Sequence, residues 1–389
     1  MNSQLRFPLK SYVGQGTKEK LLQEVKQWKI QSILVITDQT IVSIGICDHV
    51  LQPLFDNYHI DIYTDIMPEP TLACAEKVVA YAKQKQYELV IGIGGGSALD
   101  IAKLTAVLMK QEGDVHEYLN LTGTKSIVNQ GVPKIMIPTT AGTGSEVTDI
   151  AVLSLKATKD VITHPYLLSD VAIVDSTLTE SVPPRITAAT GIDALTHAIE
   201  AYLSVHANPV TDSIALGAIK LIGESIATAV ENGCDSIARE KMSTASYMAG
   251  LAFYNAGVAG VHALAYPLGN QFKIPHGESN AVLLPFVMNE LQQGCTEKLA
   301  NVVKTLAPDV DDSKSKEELA TDCVNTLHHL VQGLQLPSSL QYYDMKKESL
   351  VSLTEEALKQ TRLLSRSPVE LDEETIYRIY EAAFHGEIT

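Results

Sequence analysis

A chain of 389 residues is too long for one ordinary hydrophobic core and predicts two domains. Hydrophobic residues at 45% and charged residues at 20% place it among globular proteins and exclude a disordered or fibrous one. A formal net charge of −16, with no Lys/Arg run to offset it, repels phosphate backbones and anionic headgroups, which argues against nucleic acid or a membrane surface as main partner. The five cysteines are scattered without a CxxC pair, so neither a zinc–cysteine site nor a disulfide framework is expected. No uninterrupted apolar run reaches the roughly 18 residues of a membrane span, and MNSQLRFPLKSYVGQG has no apolar leader core. The expectation is a soluble, cytoplasmic protein.

In chain order, KEKLLQEVKQW (18–28) places Leu21, Leu22, Val25 and Trp28 on one helical face. ILVITD (33–38) is short and β-rich, as in a buried parallel strand. TLACAEKVVAYAKQKQ (71–86) follows Pro70 with helical spacing, and LVIGIGGGS (89–97) is a second buried strand ending in glycines. DIAKLTAVLMK is helical again, and IMIPTT (135–140), AVLSL (151–155) and VAIVDS (171–176) are further strands. Strands separated by helices predict a βαβ sheet. At Val182-Pro183-Pro184 the pattern changes, and Pro184 suits the first turn of a helix. Helical spacing dominates from there on, so the predicted domains are 1–183, α/β, and 184–389, all-helical.

Two small-residue loops follow strands. In GGGSALD (94–100), glycines admit a pyrophosphate close to the backbone, Ser97 adds a hydroxyl, and the next helix presents its positive end. A mere tight turn would read the same. TTAGTGSE (139–146) supplies the second loop, and paired loops at strand carboxyl ends are where open α/β sheets bind ligands. Asp38 closes the first strong strand, where a carboxylate suits an adenosine ribose and repels a 2′-phosphate, favouring NAD over NADP. An ordinary turn aspartate is the alternative.

In the second half, Asp193 and His197 are spaced i, i+4 in GIDALTHAIEAY, on one face of a predicted helix. Alone, such a pair is more often a simple hydrogen bond. His262 in GVHALAYPLG and His276 in IPHGESN lie in glycine- and proline-punctuated apolar surroundings. One carboxylate with three imidazoles suits Fe(II), Zn or a similar divalent ion. Glu200, one turn past His197, reads equally as a hydrogen-bond acceptor for a ligand and as a solvent-facing glutamate.

These motifs in register, GGGSALD, PTTAGTGSEVTD, AIVDSTLTESVPPRITAATGIDALTHAIEAYLS, REKMSTASYMAGLAFYNAGVAGVHALAYPLGN and IPHGESNAVLLP, resemble the iron-containing (group III) alcohol dehydrogenases from about residue 8 to 385. The resemblance implies a Rossmann-like N-terminal domain with a parallel sheet, an all-α C-terminal domain of dehydroquinate-synthase-like architecture, and an active site in the cleft between them. It implies NAD as cofactor and Fe2+ or Zn2+ held by Asp193, His197, His262 and His276. Asp38, Gly95, Gly96, Ser97, Asp100, Thr139, Thr140, Lys159 and Leu178 carry over as cofactor contacts, and Ile150 and Phe253 as pocket lining. The implied reaction is hydride transfer between NAD(H) and a small alcohol or aldehyde whose oxygen is bound to the metal, in a homodimer or higher oligomer. Two departures stand out. Tyr266 replaces a histidine frequent four residues after His262; as proton relay it is poorer, with an unperturbed pKa of about 10. Glu69 stands before Pro70 where asparagine is frequent. Rival readings are a hydroxyacid–oxoacid transhydrogenase that retains its NAD, and a non-catalytic metal- or nucleotide-binding protein.

Overall fold

Apolar strands and amphipathic helices alternate through the first compact unit, Arg6–Ser181, of a computed structural model that describes residues 4–155 and 159–388. Its strands are β1 (Lys10–Val13), β2 (Ser32–Ile36), β3 (His59–Tyr63), β4 (Leu89–Gly94), β5 (Lys134–Pro138), β6 (Ile150–Ser154), β7 (Lys159–Thr163) and β8 (Val171–Val174). Its helices are α1 (Leu21–Gln27), α2 (Gln39–Ser43), α3 (Ile46–Leu51), α4 (Leu72–Lys83) and α5 (Gly96–Leu108). Six strands form one sheet in the order β1-β8-β5-β4-β2-β3, with every neighbouring pair parallel. Ile33, Val35, Ile91, Ile93, Ile135 and Ile137 pack on one face with α1 and α3, while Leu34, Ile36, Val90 and Met136 pack on the other with α4 and α5. Two covered faces explain why these strands read as unbroken apolar runs.

ILVITD, LVIGIG, IMIP and VAIVD thus supply β2, β4, β5 and β8. AVLSL is also a strand, but it pairs antiparallel with β7 in a separate hairpin, Ile150 opposite Thr163. Its alternating burial, one side in and one side half-exposed, fits that one-sided packing. The chain passes from β2 outward to β3 and then returns to β4 on the other side of β2. The carboxyl ends of β2 and β4 therefore flank a topological switch point.

The second unit is built on the chain from Val182 onward. Among the described residues it contains helices and no strand: α6 (Pro184–Leu203), α7 (Pro209–Glu231), α8 (Ser236–Ala256), α9 (Gly260–Phe272), α10 (His276–Leu306), α11 (Lys316–Gly333), α12 (Ser349–Leu358), α13 (Thr361–Leu364) and α14 (Glu373–His385). Pro184 and Pro209 open their helices, where a missing N–H costs nothing. Sixteen of the twenty residues of α6 are buried, so Asp193, Thr196, His197 and Glu200 lie inside the unit. α8 and α9 meet at 105° across Gly257, whose φ of 92° favours glycine. By length and composition alone α7 is long and apolar enough to cross a membrane, although Asp212, Lys220 and Glu224 interrupt it. One face of α7, including Ala215, Ala218, Ile222 and Ile226, is buried within the unit.

Candidate functional site

The two glycine-rich loops interlock at the switch point of the first unit. Gly94 has φ +149°, and a Cβ there would meet Ala98 Cβ at 2.9 Å and stand 3.6 Å from Asp38 Oδ2. A Cβ on Gly96 would lie 2.9 Å from Thr143 Cγ2, so only glycine lets the second loop come this close. Thr139 N–H donates to Gly94 O at 3.0 Å, and Thr140 Oγ1 lies 3.6 Å from where a Gly95 Cβ would stand. Helix α5 starts here with no side chain capping it, which leaves its positive end to an anion. Asp38 serves as a helix cap just past the end of β2. Its Oδ1 accepts Ile41 N–H at 3.0 Å and caps α2, while Oδ2 faces the Gly94 turn.

Ser97 Oγ accepts the backbone N–H of Glu69 at 3.1 Å, and the Glu69 carboxylate lies 3.2 Å from Lys159 Nζ. Glu69 holds φ +50°, a left-handed conformation that asparagine tolerates better. Lys159 is therefore brought beside the first loop, at the start of β7. Leu178, by contrast, is buried in the apolar layer with Ile33, Ile91 and Ile173. Ile150, half-buried at the head of β6, turns its carbonyl to Lys103 Nζ at 2.6 Å.

Asp100 and Lys103 tie the loops together. Asp100 Oδ1 accepts from Ser145 Oγ at 2.5 Å and Oδ2 accepts Val152 N–H at 3.0 Å. Lys103 is fully buried and donates to Ser145 O (2.9 Å), Thr148 Oγ1 (3.0 Å) and Ile150 O, with Asp100 Oδ1 also at 3.0 Å. Both oxygens of Asp100 are thus engaged within the protein. Beside them, burial pushes the Glu146 carboxyl up to about 7, against the opposing pull of its own backbone and of Lys103. The unfolded chain sheds that proton near 4.5, so the folded form binds more protons between about 4.5 and 7, and stability falls as pH rises through that window. Glu146→Gln is expected to flatten this slope and to gain up to about 3 kcal/mol at pH 8, read from urea midpoints across pH. An unchanged slope would refute it.

In the second unit, α6 projects Asp193, His197 and Glu200 inward along one stripe, at i, i+4 and i+7. Asp193 Oδ1 lies 3.8 Å from His197 Nε2, 3.7 Å from His262 Nε2 and 3.6 Å from His276 Nε2. Ligands about 2.1 Å from a shared ion in tetrahedral array stand about 3.4 Å apart, so these separations fit a divalent cation. Among the described residues, the ligand atoms of Asp193, His262 and His276 all fall within 4.8 Å of one another. His197 joins them through Asp193 and by stacking on His262, with ring centroids 4.6 Å apart. Phe253 stacks on the other neighbour of this array, 4.3 Å from the His197 ring. The Tyr266 ring lies 6.0 Å from that of His276.

Glu200 settles between its two readings as a buried acceptor. Its Oε2 accepts a hydrogen bond from His262 Nδ1 at 2.5 Å and Oε1 accepts Val261 N–H at 2.6 Å. In the neutral ring the His262 bond keeps the proton on Nδ1 and leaves the Nε2 lone pair for a cation. Burial opposes charge on Asp193, yet His197, His276 and His262 hold it well below the usual carboxylate range. Burial likewise depresses His262, but Glu200 and Asp193 outweigh it and pull the imidazole up to about 9. The cluster thus favours positive charge at its centre. Asn280, which the sequence reading passed over, lies in it too; its signal was the i, i+4 spacing from His276 on α10.

Residues 8–176 match the family model described as iron-containing alcohol dehydrogenase, and residues 187–384 match that of the Fe-containing alcohol dehydrogenase family, C-terminal. The chain belongs to the iron-containing alcohol dehydrogenase family. It is 55% identical over 383 residues to long-chain-alcohol dehydrogenase 1 of Geobacillus thermodenitrificans, covering 98% of this chain and 97% of that one. The solved 1,3-propanediol oxidoreductase superposes with a TM-score of 0.94 at 32% identity, covering 99% and 100% of the two chains. A sulfoacetaldehyde reductase from Bifidobacterium kashiwanohense, solved in complex with NAD+, superposes with a TM-score of 0.89 at 27% identity, covering 98% and 99%. The protein is thus an oxidoreductase of the alcohol dehydrogenase type, with the parallel-sheet and helical architecture of its iron-containing relatives.

Proposed function

We propose that this enzyme transfers hydride between NAD(H) and a small, weakly polar alcohol or aldehyde, using Fe(II) or a similar divalent ion held by Asp193, His197, His262 and His276. The observation that carries this reading is the convergence of one carboxylate and three imidazoles, with His262 oriented by Glu200. When bound, the ion supplies Lewis acidity that offsets negative charge developing on the substrate oxygen. Asp38 Oδ2 accepts from the adenosine ribose, while Gly95, Gly96, Ser97 and the start of α5 receive the pyrophosphate, flanked by Thr139 and Thr140. Lys159, beside Ser97 through Glu69, adds positive charge near that anion. Phe253, stacked on His197, gives the substrate an apolar neighbour. Tyr266 offers its hydroxyl proton near His276.

The test is absorbance at 340 nm with primary alcohols of increasing chain length, 1,3-propanediol and the matching aldehydes, before and after chelation and Fe(II) readdition. Activity should require added free NAD(H), vanish with the metal and return with it. The Asp38→Gly variant should shift the NADP/NAD ratio of kcat/KM about tenfold toward NADP, roughly 1.4 kcal/mol. Full turnover in metal-stripped protein, or no turnover on any of these compounds, would overturn the reading.

A further inference from the structure

Three candidate ligand atoms of the cluster converge on one atom of the chain. Asn280 is fully buried on α10, and its Nδ2 lies 2.6 Å from Asp193 Oδ1, 3.2 Å from His262 Nε2 and 3.3 Å from His276 Nε2. His262 Nδ1 lies 2.5 Å from Glu200 Oε2, so in the neutral ring Nδ1–H donates there and Nε2 presents a lone pair to the amide. The other end of the same carboxamide, Oδ1, is buried without a hydrogen-bond partner, a costly arrangement for a carbonyl oxygen.

The two halves of this arrangement explain each other. Acceptors built around a positive centre draw the amide NH2, which carries the positive end of the group's dipole, and strand its oxygen. A cation shared by those same acceptors repels NH2 and attracts a carbonyl oxygen. We propose that Asn280 is a further residue of the metal centre, which holds Asp193, His262 and His276 in register through its NH2 and turns its Oδ1 to the ion as a neutral oxygen donor when metal binds. The inference rests on the metal reading given above. It also assigns a cause to the orphaned oxygen: Oδ1 has no bond to lose on turning.

The experiment compares metal-stripped wild-type protein with Asn280→Ala and Asn280→Asp. Affinity for Fe(II) and Co(II) is measured by competition with a chromophoric chelator, and the visible spectrum of the Co(II) form reports the donor number. Asn280→Ala is expected to bind about 10–100-fold more weakly and to show stronger, shifted Co(II) bands as an oxygen donor is lost. Asn280→Asp, nearly the same shape, is expected to bind more tightly than wild type because a carboxylate replaces a neutral donor. Equal affinity and an unchanged spectrum in Asn280→Ala would overturn the inference, as would weaker binding by Asn280→Asp. If the alanine variant fails to fold, the aspartate variant decides. If wild-type protein takes up no metal, the functional reading falls and this inference with it; wild-type loading with indifferent Asn280 variants overturns this inference alone.

Discussion

His262→Ala is expected to abolish metal retention and turnover together while leaving NAD affinity within about twofold of wild type. The imidazole is buried and joins two carboxylates, Glu200 at Nδ1 and Asp193 across 3.7 Å at Nε2. Removing it deletes one of the four proposed ligands and leaves Glu200 holding only Val261 N–H in a buried position. A bound ion is worth several kcal/mol of charge stabilisation in the reaction, so turnover should fall by at least about 100-fold. The loops proposed to hold NAD belong to the other compact unit, Arg6–Ser181, which gives the two readouts separate structural origins. Metal content by mass spectrometry and NAD titration by fluorescence measure them independently. Activity at the wild-type rate in metal-free His262→Ala protein would sink the ligand assignment. Parallel loss of NAD affinity would mean that the substitution unfolds more than its own unit.

The features legible in the sequence were those that repeat a physical rule over several residues. Strands covered on both faces, such as LVIGIG, are continuous apolar runs, and the two glycine loops sit directly after them. Edge elements were not legible. KSYV and HIDIY, which form β1 and β3, are short and mix polar with apolar residues because each is only partly covered. The Asp193/His197 spacing was visible, but Glu200 could not be assigned, since a helix rich in alanine on all sides does not reveal which face meets solvent. Burial of α6 on nearly every side decides it. Asp100 closes GGGSALD, but the motif does not encode that its oxygens also turn to Ser145, Val152 and Lys103. Lys103 itself looked like any lysine in a helix. Its role depends on carbonyls about 40 to 50 residues away, which no local pattern encodes.

That lysine yields the largest stability effect expected here. Lys103→Met keeps the length and apolar stem of the side chain but removes an ammonium that serves Ser145 O, Thr148 Oγ1, Ile150 O and Asp100. The carbonyls lose a buried donor, and the Asp100 carboxylate loses its counter-charge. Breaking a buried pair by deleting one partner costs about 3–5 kcal/mol, which corresponds to a Tm lower by roughly 6–20 °C for a unit of this size. The second loop and the β6–β7 hairpin are held to α5 by this ammonium, so NAD should bind more weakly even where the variant stays folded. Adding Asp100→Asn to Lys103→Met separates charge from packing. If the uncompensated carboxylate dominates, the double variant recovers part of the loss and the two changes are non-additive. If the damage came only from lost packing, the second substitution would add its own cost. A Tm within 2 °C of wild type in Lys103→Met would show that the clamp carries little of the stability its geometry implies.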